Sequence, residues 1–350
     1  MHAFSAADSV SIAIQRTRNF LFRPFSWGTY LKLGLVAIIT EGTANNFRSS
    51  GGGGQPSRPG PMINPPFDID AVKVAAAVAA CLLALLLAMW IYYLITRLRF
   101  AFFHCLTSNT KEIRPGWHLY REPATRFFWL NVIVGLCFLL VAVLVSIPFV
   151  TGFWRLFHAI PPGGHPDIAL LLSLVLPLIP LVLLFVLAGI LIDVVLRDWM
   201  LPHFAVDNAT AGEAWSAVWS AVAVEKKQFF VYALLRLALP IVAMAVLFML
   251  LLIPGLMVAG SIGALVYAIH SAFAGSSGGS AEAGLLLQIF FGSIGFLLML
   301  LAGICLGGPV STGIREYALT FYGGRYKALG DLLYPPAASP PPASHASVTA

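Results

Sequence analysis

The sequence predicts an all-α protein, a polytopic bundle of transmembrane helices. Composition, apolar segments and the placement of basic residues all indicate this class. Of the 350 residues, 59% are hydrophobic and 10% are charged, whereas about 25% of the residues in an ordinary soluble domain are charged. A water-soluble protein of this size could not bury so many apolar side chains. The low charge also excludes intrinsic disorder for most of the chain.

Five segments have the length of a spanning helix, which needs about 20 apolar residues. They are residues 74–95, 127–150, 168–196, 229–258 and 285–306. A sixth segment, residues 27–40, has only 14 residues and contains Lys32. Its length alone does not establish it as a span, so the distribution of charge has to decide.

The basic residues favour six spans with both termini in the cytoplasm, because cytoplasmic loops of membrane proteins are enriched in Lys and Arg. In this arrangement 15 of the 21 basic residues lie on the cytoplasmic side. They fall within residues 16–23, 97–126, 197–227 and 315–327. An alternative with seven spans divides the long apolar stretch after Phe229 near Pro254 and Gly255, and it would place the basic C-terminal segment outside. We therefore predict a multi-pass protein of the cell (inner) membrane with six spans, and seven spans are the alternative.

Residues 1–334 are predicted to form one integral membrane domain. Residues 42–68 contain four consecutive glycines within a Pro-, Ser- and Gly-rich stretch, which predicts a flexible loop on the outer side. Residues 335–350 consist mostly of Pro, Ala and Ser and predict a disordered cytoplasmic tail.

Two amphipathic helices are predicted to lie on the cytoplasmic face of the membrane. Residues 5–8 and residues 210–213 each fit a capping box at the start of such a helix. In the second helix, Trp215 and Trp219 share one face, and their indole rings suit the level of the lipid headgroups. The alternative is that both apolar faces pack on protein.

Three charged residues of the predicted spans are candidates for a binding site: Lys32, Asp193 and Arg236. They lie at similar depth, roughly 5 to 10 Å below the cytoplasmic surface, given the rise of a helix per residue. One interpretation is that Lys32 and Arg236 extend to the headgroups while Asp193 pairs with Arg197, four residues along its helix. The other is that Lys32 and Arg236 line an inward-facing pocket for an anionic headgroup or solute, with Asp193 as counter-ion.

No pattern in the sequence predicts catalysis, a metal site or a cofactor. The glycine run at residues 51–54 lacks the Lys that completes a phosphate-binding loop, and no HExxH motif is present. The four cysteines show no CxxC spacing, so a thiolate zinc site is not indicated. We therefore expect a protein that is not an enzyme. The net charge of +6 follows the cytoplasmic placement of Lys and Arg, so we expect no nucleic-acid partner.

Two functional classes fit these features. The first is a non-enzymatic membrane protein that binds or organises lipid, or protein partners, at the cytoplasmic face. Residues 97–126 would form a basic loop facing anionic headgroups in this class. The second is a transporter or exporter of a small anionic or lipid-like solute, using Lys32, Arg236 and the spans that prolines interrupt. The interfacial helices favour the first class.

Two stretches carry a resemblance to a known group of proteins. They are Arg197 to Pro202 followed by residues 211–219, and the opening of the chain with its Arg23-Pro24-Phe25 sequence. Over residues 5–330 the organisation resembles uncharacterised bacterial multipass proteins related to the membrane domain that accompanies some glycerophosphodiester phosphodiesterases. The resemblance implies a six-helix bundle in the cell membrane with no agreed activity, and no catalytic residue is carried over. The long glycine-rich loop departs from the pattern of that group.

Overall fold

A computed structural model describes residues 4–49, 71–159, 168–273 and 279–335. These residues form helices and connecting loops without a strand, which confirms the predicted all-α class. In chain order the helices are α1 (Asp8–Phe22), α2 (Trp27–Ser49), α3 (Ala71–Thr107), α4 (Ile113–Leu119), α5 (Arg121–Ala159), α6 (Ile168–Val194), α7 (Leu201–Val206), α8 (Ala211–Val224), α9 (Lys226–Phe273), α10 (Gly279–Gly323) and α11 (Lys327–Leu333). A π-helical turn, Val195–Met200, joins α6 to α7.

Within the described ranges, six helical segments are long and apolar enough to cross a membrane. They are Val74–Thr107, Arg121–His158, Leu171–Val206, Lys226–Ile253, Gly255–Phe273 and Glu282–Gly323. The number six agrees with the prediction, but the assignment differs, because α9 carries two of these segments and α2 carries none. The apolar stretch of α2 has 14 residues, which is fewer than the about 20 that a span needs.

Helix α9 has no turn at Pro254 or Gly255, so its two apolar segments lie along one helix. The structure thus provides no turn for the predicted seven-span alternative at that point. Its 48 residues extend about 72 Å at the rise of an α-helix, and α10 packs along it. This helical hairpin is longer than the roughly 40–45 Å thickness of a bilayer with its headgroups.

Helix α2 continues to Ser49, into the stretch predicted as the outer loop. The predicted start of that loop at residue 42 is therefore too early. Neither Gly nor Pro interrupts the chain between Thr43 and Ser49, and the glycine run begins at Gly51. The rest of the predicted loop and residues 336–350 of the predicted tail lie outside the described residues.

The buried core lies at one end of the bundle, the end that the basic residues assign to the cytoplasm. Its largest fully buried side chains include Phe100, Phe127, Tyr232, Tyr317 and Phe321. By contrast, the most apolar parts of the six candidate spans have almost no buried residues. In a bilayer, lipid would cover these exposed apolar surfaces.

The apolar face of α1 packs on protein, along α10. Ala13, Thr17 and Leu21 of this face are buried. Arg16 fixes the helix in place, since its Nε lies 2.8 Å from a carboxylate oxygen of Glu316 on α10. The apolar face of α1 therefore packs on protein, which is the alternative to an interfacial position on the membrane.

Helix α8 begins with a complete capping box, as the sequence predicts. The Oγ1 atom of Thr210 accepts a hydrogen bond from the backbone N–H of Glu213 at 3.4 Å, and the Glu213 carboxylate accepts one from the backbone N–H of Thr210 at 2.8 Å. The hydrogen bonds from the backbone and hydroxyl of Thr210 lower the pKa of Glu213. Val218 is buried against protein, whereas Trp215 and Trp219 are exposed. The cap thus fixes a helix that presents both tryptophans outward.

Replacing Thr210 by Ala should destabilise the first turn of α8 by about 1 kcal/mol, because the capping hydrogen bond is lost. Hydrogen–deuterium exchange of peptides covering residues 210–216 should become about fivefold faster. The control is Thr210→Ser, which keeps the hydroxyl and should leave exchange unchanged. Equal exchange in all three proteins would show that the box does not hold this turn.

Candidate functional site

A cavity of about 890 Å³ lies between α2, α6, α9 and α10. Leu, Ile, Val, Met and Phe side chains form most of its walls. Four charged residues line one end: Glu41, Asp193, Arg197 and Arg236. The lining residues of α9 begin at Arg236 and continue to Ala259, about 35 Å along the helix. An elongated apolar cavity with one charged end is suited to an amphiphilic ligand.

The charged end is built around Asp198, whose carboxylate is fully buried. Its Oδ2 atom accepts hydrogen bonds from the hydroxyl of Tyr232 at 2.8 Å and from Nε of Arg236 at 2.9 Å. Its Oδ1 atom accepts one from Nη1 of Arg315 at 3.3 Å. A buried carboxylate is tolerated only with such partners. The contacts therefore hold the π-helical turn, α9 and α10 together at one level of the bundle.

Further contacts tie α2 and α6 to this end. Nη2 of Arg236 donates a hydrogen bond to Oε2 of Glu41 at 3.2 Å. Nη1 of Arg197 donates one to Oδ2 of Asp193 at 3.1 Å. Nη2 of Arg197 also donates to the backbone carbonyl oxygen of Thr40. The guanidinium groups thus bridge helices that are far apart in the sequence.

This group of residues is termed the arginine cluster. It comprises three arginines and three carboxylates, namely Arg197, Arg236 and Arg315 with Glu41, Asp193 and Asp198. Two buried donor atoms, Nε of Arg197 and Nη2 of Arg315, have no hydrogen-bond partner among the described residues. Because a buried donor without an acceptor is costly, the cluster is suited to an anion.

The structure brings together two of the three predicted site residues and separates the third. Asp193 and Arg236 both line the charged end of the cavity. Lys32 is exposed and is not one of the described residues that line the cavity. It lies nine residues before Glu41, or two and a half turns of α2, so the two side chains face opposite sides of the helix. The predicted pairing of Asp193 with Arg197 is confirmed.

Sequence reasoning missed Glu41, Asp198 and Arg315. Arg197 and Asp198 are consecutive, yet both are buried, because they lie in a π-helical turn whose five residues from Leu196 to Met200 are all buried. Their position in the sequence could have indicated these residues. Each lies in or next to an apolar segment, and charged residues in such segments are usually paired with another charge.

The two predicted interface residues lie side by side on α8. The indole rings of Trp215 and Trp219 are stacked, with ring centroids 6.1 Å apart and an interplanar angle of 12°. They are 52% and 62% exposed. Large aromatic side chains exposed in this way are typical of a membrane interface.

Comparison with known proteins identifies a family but no activity. Residues 4–332 match a family of unknown function (DUF7544). Neither the curated proteins nor the solved structures contain a match to the chain. The family match does not connect the chain with the membrane domain that accompanies some glycerophosphodiester phosphodiesterases.

Replacing Asp198 by Ala removes an acceptor that three side chains share. We expect the free energy of unfolding to fall by about 3 kcal/mol, since buried guanidinium groups lose their counter-charge. The measurement is thermal unfolding of the purified protein in detergent. Asp193→Ala is the matched control, because it removes another carboxylate of the cluster whose side chain is 36% exposed. An equal loss in both variants would contradict the role of Asp198 as the shared acceptor.

Proposed function

The chain belongs to DUF7544, a family of unknown function, and we propose that it is a non-enzymatic membrane protein that binds an anionic membrane lipid. The observation that carries the proposal is the cavity, whose apolar walls end at the arginine cluster. A phospholipid has the matching distribution of apolar chains and charged headgroup. Hydrogen bonds among the charged side chains fix their positions at this end, an arrangement suited to binding a ligand.

The headgroup contacts would come from Arg197 and Arg236, which line the charged end of the cavity. Arginine binds phosphate oxygens through charge-assisted hydrogen bonds, often two at a time. These bonds are stronger in surroundings of low dielectric constant. A phosphodiester headgroup supplies such oxygens together with a negative charge. The proposed ligand is therefore an anionic phospholipid.

The packing of the helices offers a route from the bilayer to the cavity. Helix α6 packs along α5, and α9 packs along α10. Both α6 and α9 nevertheless contribute residues to the walls of the cavity. A lipid could thus reach the cavity sideways, between α6 and α9, with its chains remaining in apolar surroundings throughout.

The proposal places the arginine cluster, α8 and both termini on the cytoplasmic side of the cell's inner membrane. The distribution of Lys and Arg along the chain supports this orientation. In this orientation the lipid comes from the cytoplasmic leaflet, and protein partners would bind the same face of the molecule.

Transport of a small anionic or lipid-like solute is the second candidate function. The observation that favours it is Pro240, which lines the cavity one turn beyond Arg236. A proline inside a helix removes a backbone hydrogen bond, which weakens the helix where a hinge could open the cavity. Substrate-dependent flux across proteoliposomes would support transport, whereas binding alone predicts no flux.

Kinship with the membrane domain that accompanies some glycerophosphodiester phosphodiesterases is also part of the proposal. Its support is the stretch from Arg197 to Pro202, which carries the resemblance. This stretch forms the π-helical turn and the start of α7, and it supplies two members of the arginine cluster. A shared motif at that position would preserve the charged end of the cavity.

Filling the cavity should abolish lipid binding without disturbing the cluster. Gly303 lines the cavity, and a Cβ atom built there meets no atom within 4 Å. Gly303→Phe would therefore extend a ring into the open space. Native mass spectrometry of the protein released from nanodiscs that contain phosphatidylglycerol should show one retained lipid for the wild type. The retained fraction should fall at least tenfold for the variant.

Two control variants separate this effect from general damage. Gly292→Phe makes the same change on α10, at a position that has equal space but does not line the cavity. Lys32→Ala removes a cation that lies outside the cavity. Both should retain lipid like the wild type, whereas Arg236→Ala should not. Equal retention of lipid by Gly303→Phe and Gly292→Phe would contradict the proposal.

A further inference from the structure

A groove of about 230 Å³, termed the tryptophan groove, lies beside the exposed tryptophans of α8. Its walls come from the end of α6, the π-helical turn, α8 and the first two turns of α9. They include Val195, Trp199, Trp215, Trp219 and Lys226. The groove thus lies beside the two tryptophans that are expected at the level of the lipid headgroups of the cytoplasmic leaflet.

The tryptophan groove and the cavity follow one another along the same face of α9. Lys226, Phe230 and Ala233 line the groove. Leu237 and Pro240 line the cavity. Successive members of this series are three or four residues apart, the spacing that keeps side chains on one face of an α-helix. Along α9 the groove therefore lies next to the charged end of the cavity.

The chemistry of the groove suits an anionic lipid. Its walls are almost entirely apolar, as lipid chains require. Lys226, one of its lining residues, is exposed and supplies a positive charge for the headgroup.

We propose that the tryptophan groove is the docking site at which an anionic phospholipid of the cytoplasmic leaflet binds before it passes into the cavity. This inference rests on the proposed function, since it supplies the route to the same cavity. Trp215 and Trp219 present apolar rings to the lipid chains beside a cation for the headgroup, which is the chemistry of the membrane interface.

The test is the rate at which lipid exchanges in the cavity. Protein loaded with phosphatidylglycerol is mixed with nanodiscs of deuterated phosphatidylglycerol, and native mass spectrometry follows the replacement over time. Lys226→Glu is compared with Lys227→Glu, which makes the same change of charge at the next residue, exposed but outside the groove.

The inference predicts exchange roughly fivefold slower in Lys226→Glu than in Lys227→Glu, because only Lys226 lines the groove and a Lys beside an anionic lipid contributes about 1 kcal/mol. Both variants should reach the wild-type occupancy at equilibrium. Loaded proteins with equal exchange rates would overturn the docking site and leave the proposed function standing. A wild type that retains no lipid would overturn the proposed function, and the docking site with it.

Discussion

The buried carboxylate of Asp198 is the group on which the arrangement of the helices depends. It accepts hydrogen bonds from Tyr232, Arg236 and Arg315 and so joins the π-helical turn to α9 and α10. Without such partners a carboxylate in an apolar interior would cost several kcal/mol, on the order of the whole stability of a small domain. The three donors therefore cannot separate from it independently. One charged group thus fixes the spacing of the helices at the predicted cytoplasmic end.

The cavity follows from this attachment at one end. Helices α6 and α9 are linked through the arginine cluster, but beyond it they pack on different neighbours, α5 and α10. Two helices that are linked at one end and packed separately beyond it enclose a space with apolar walls and a charged end. The cluster that links them also places the guanidinium groups of Arg197 and Arg236 at the charged end of the cavity. The same residues that determine the fold therefore determine which ligand the cavity suits, an amphiphile with an anionic headgroup.

The features that the sequence predicts correctly are local ones. Composition and apolar length predict the helical membrane class, and the spacing of four residues predicts the pair of Asp193 and Arg197. The site itself depends on contacts between distant parts of the chain, such as that of Arg236 with Glu41, which are 195 residues apart. Lys32 and Arg236 have similar predicted depths below the membrane surface, so depth alone indicates both as site residues. Depth does not specify which side of α2 faces the cavity, and the side that does so carries Glu41.

The most direct test of the account is a cryo-electron-microscopy map of the protein in nanodiscs of anionic phospholipid. The account predicts elongated density between α6 and α9, with its headgroup within hydrogen-bond distance of Arg197 and Arg236 and its chains along the apolar walls. A map that resolves these side chains but shows the cavity closed by them, or free of such density, would contradict it.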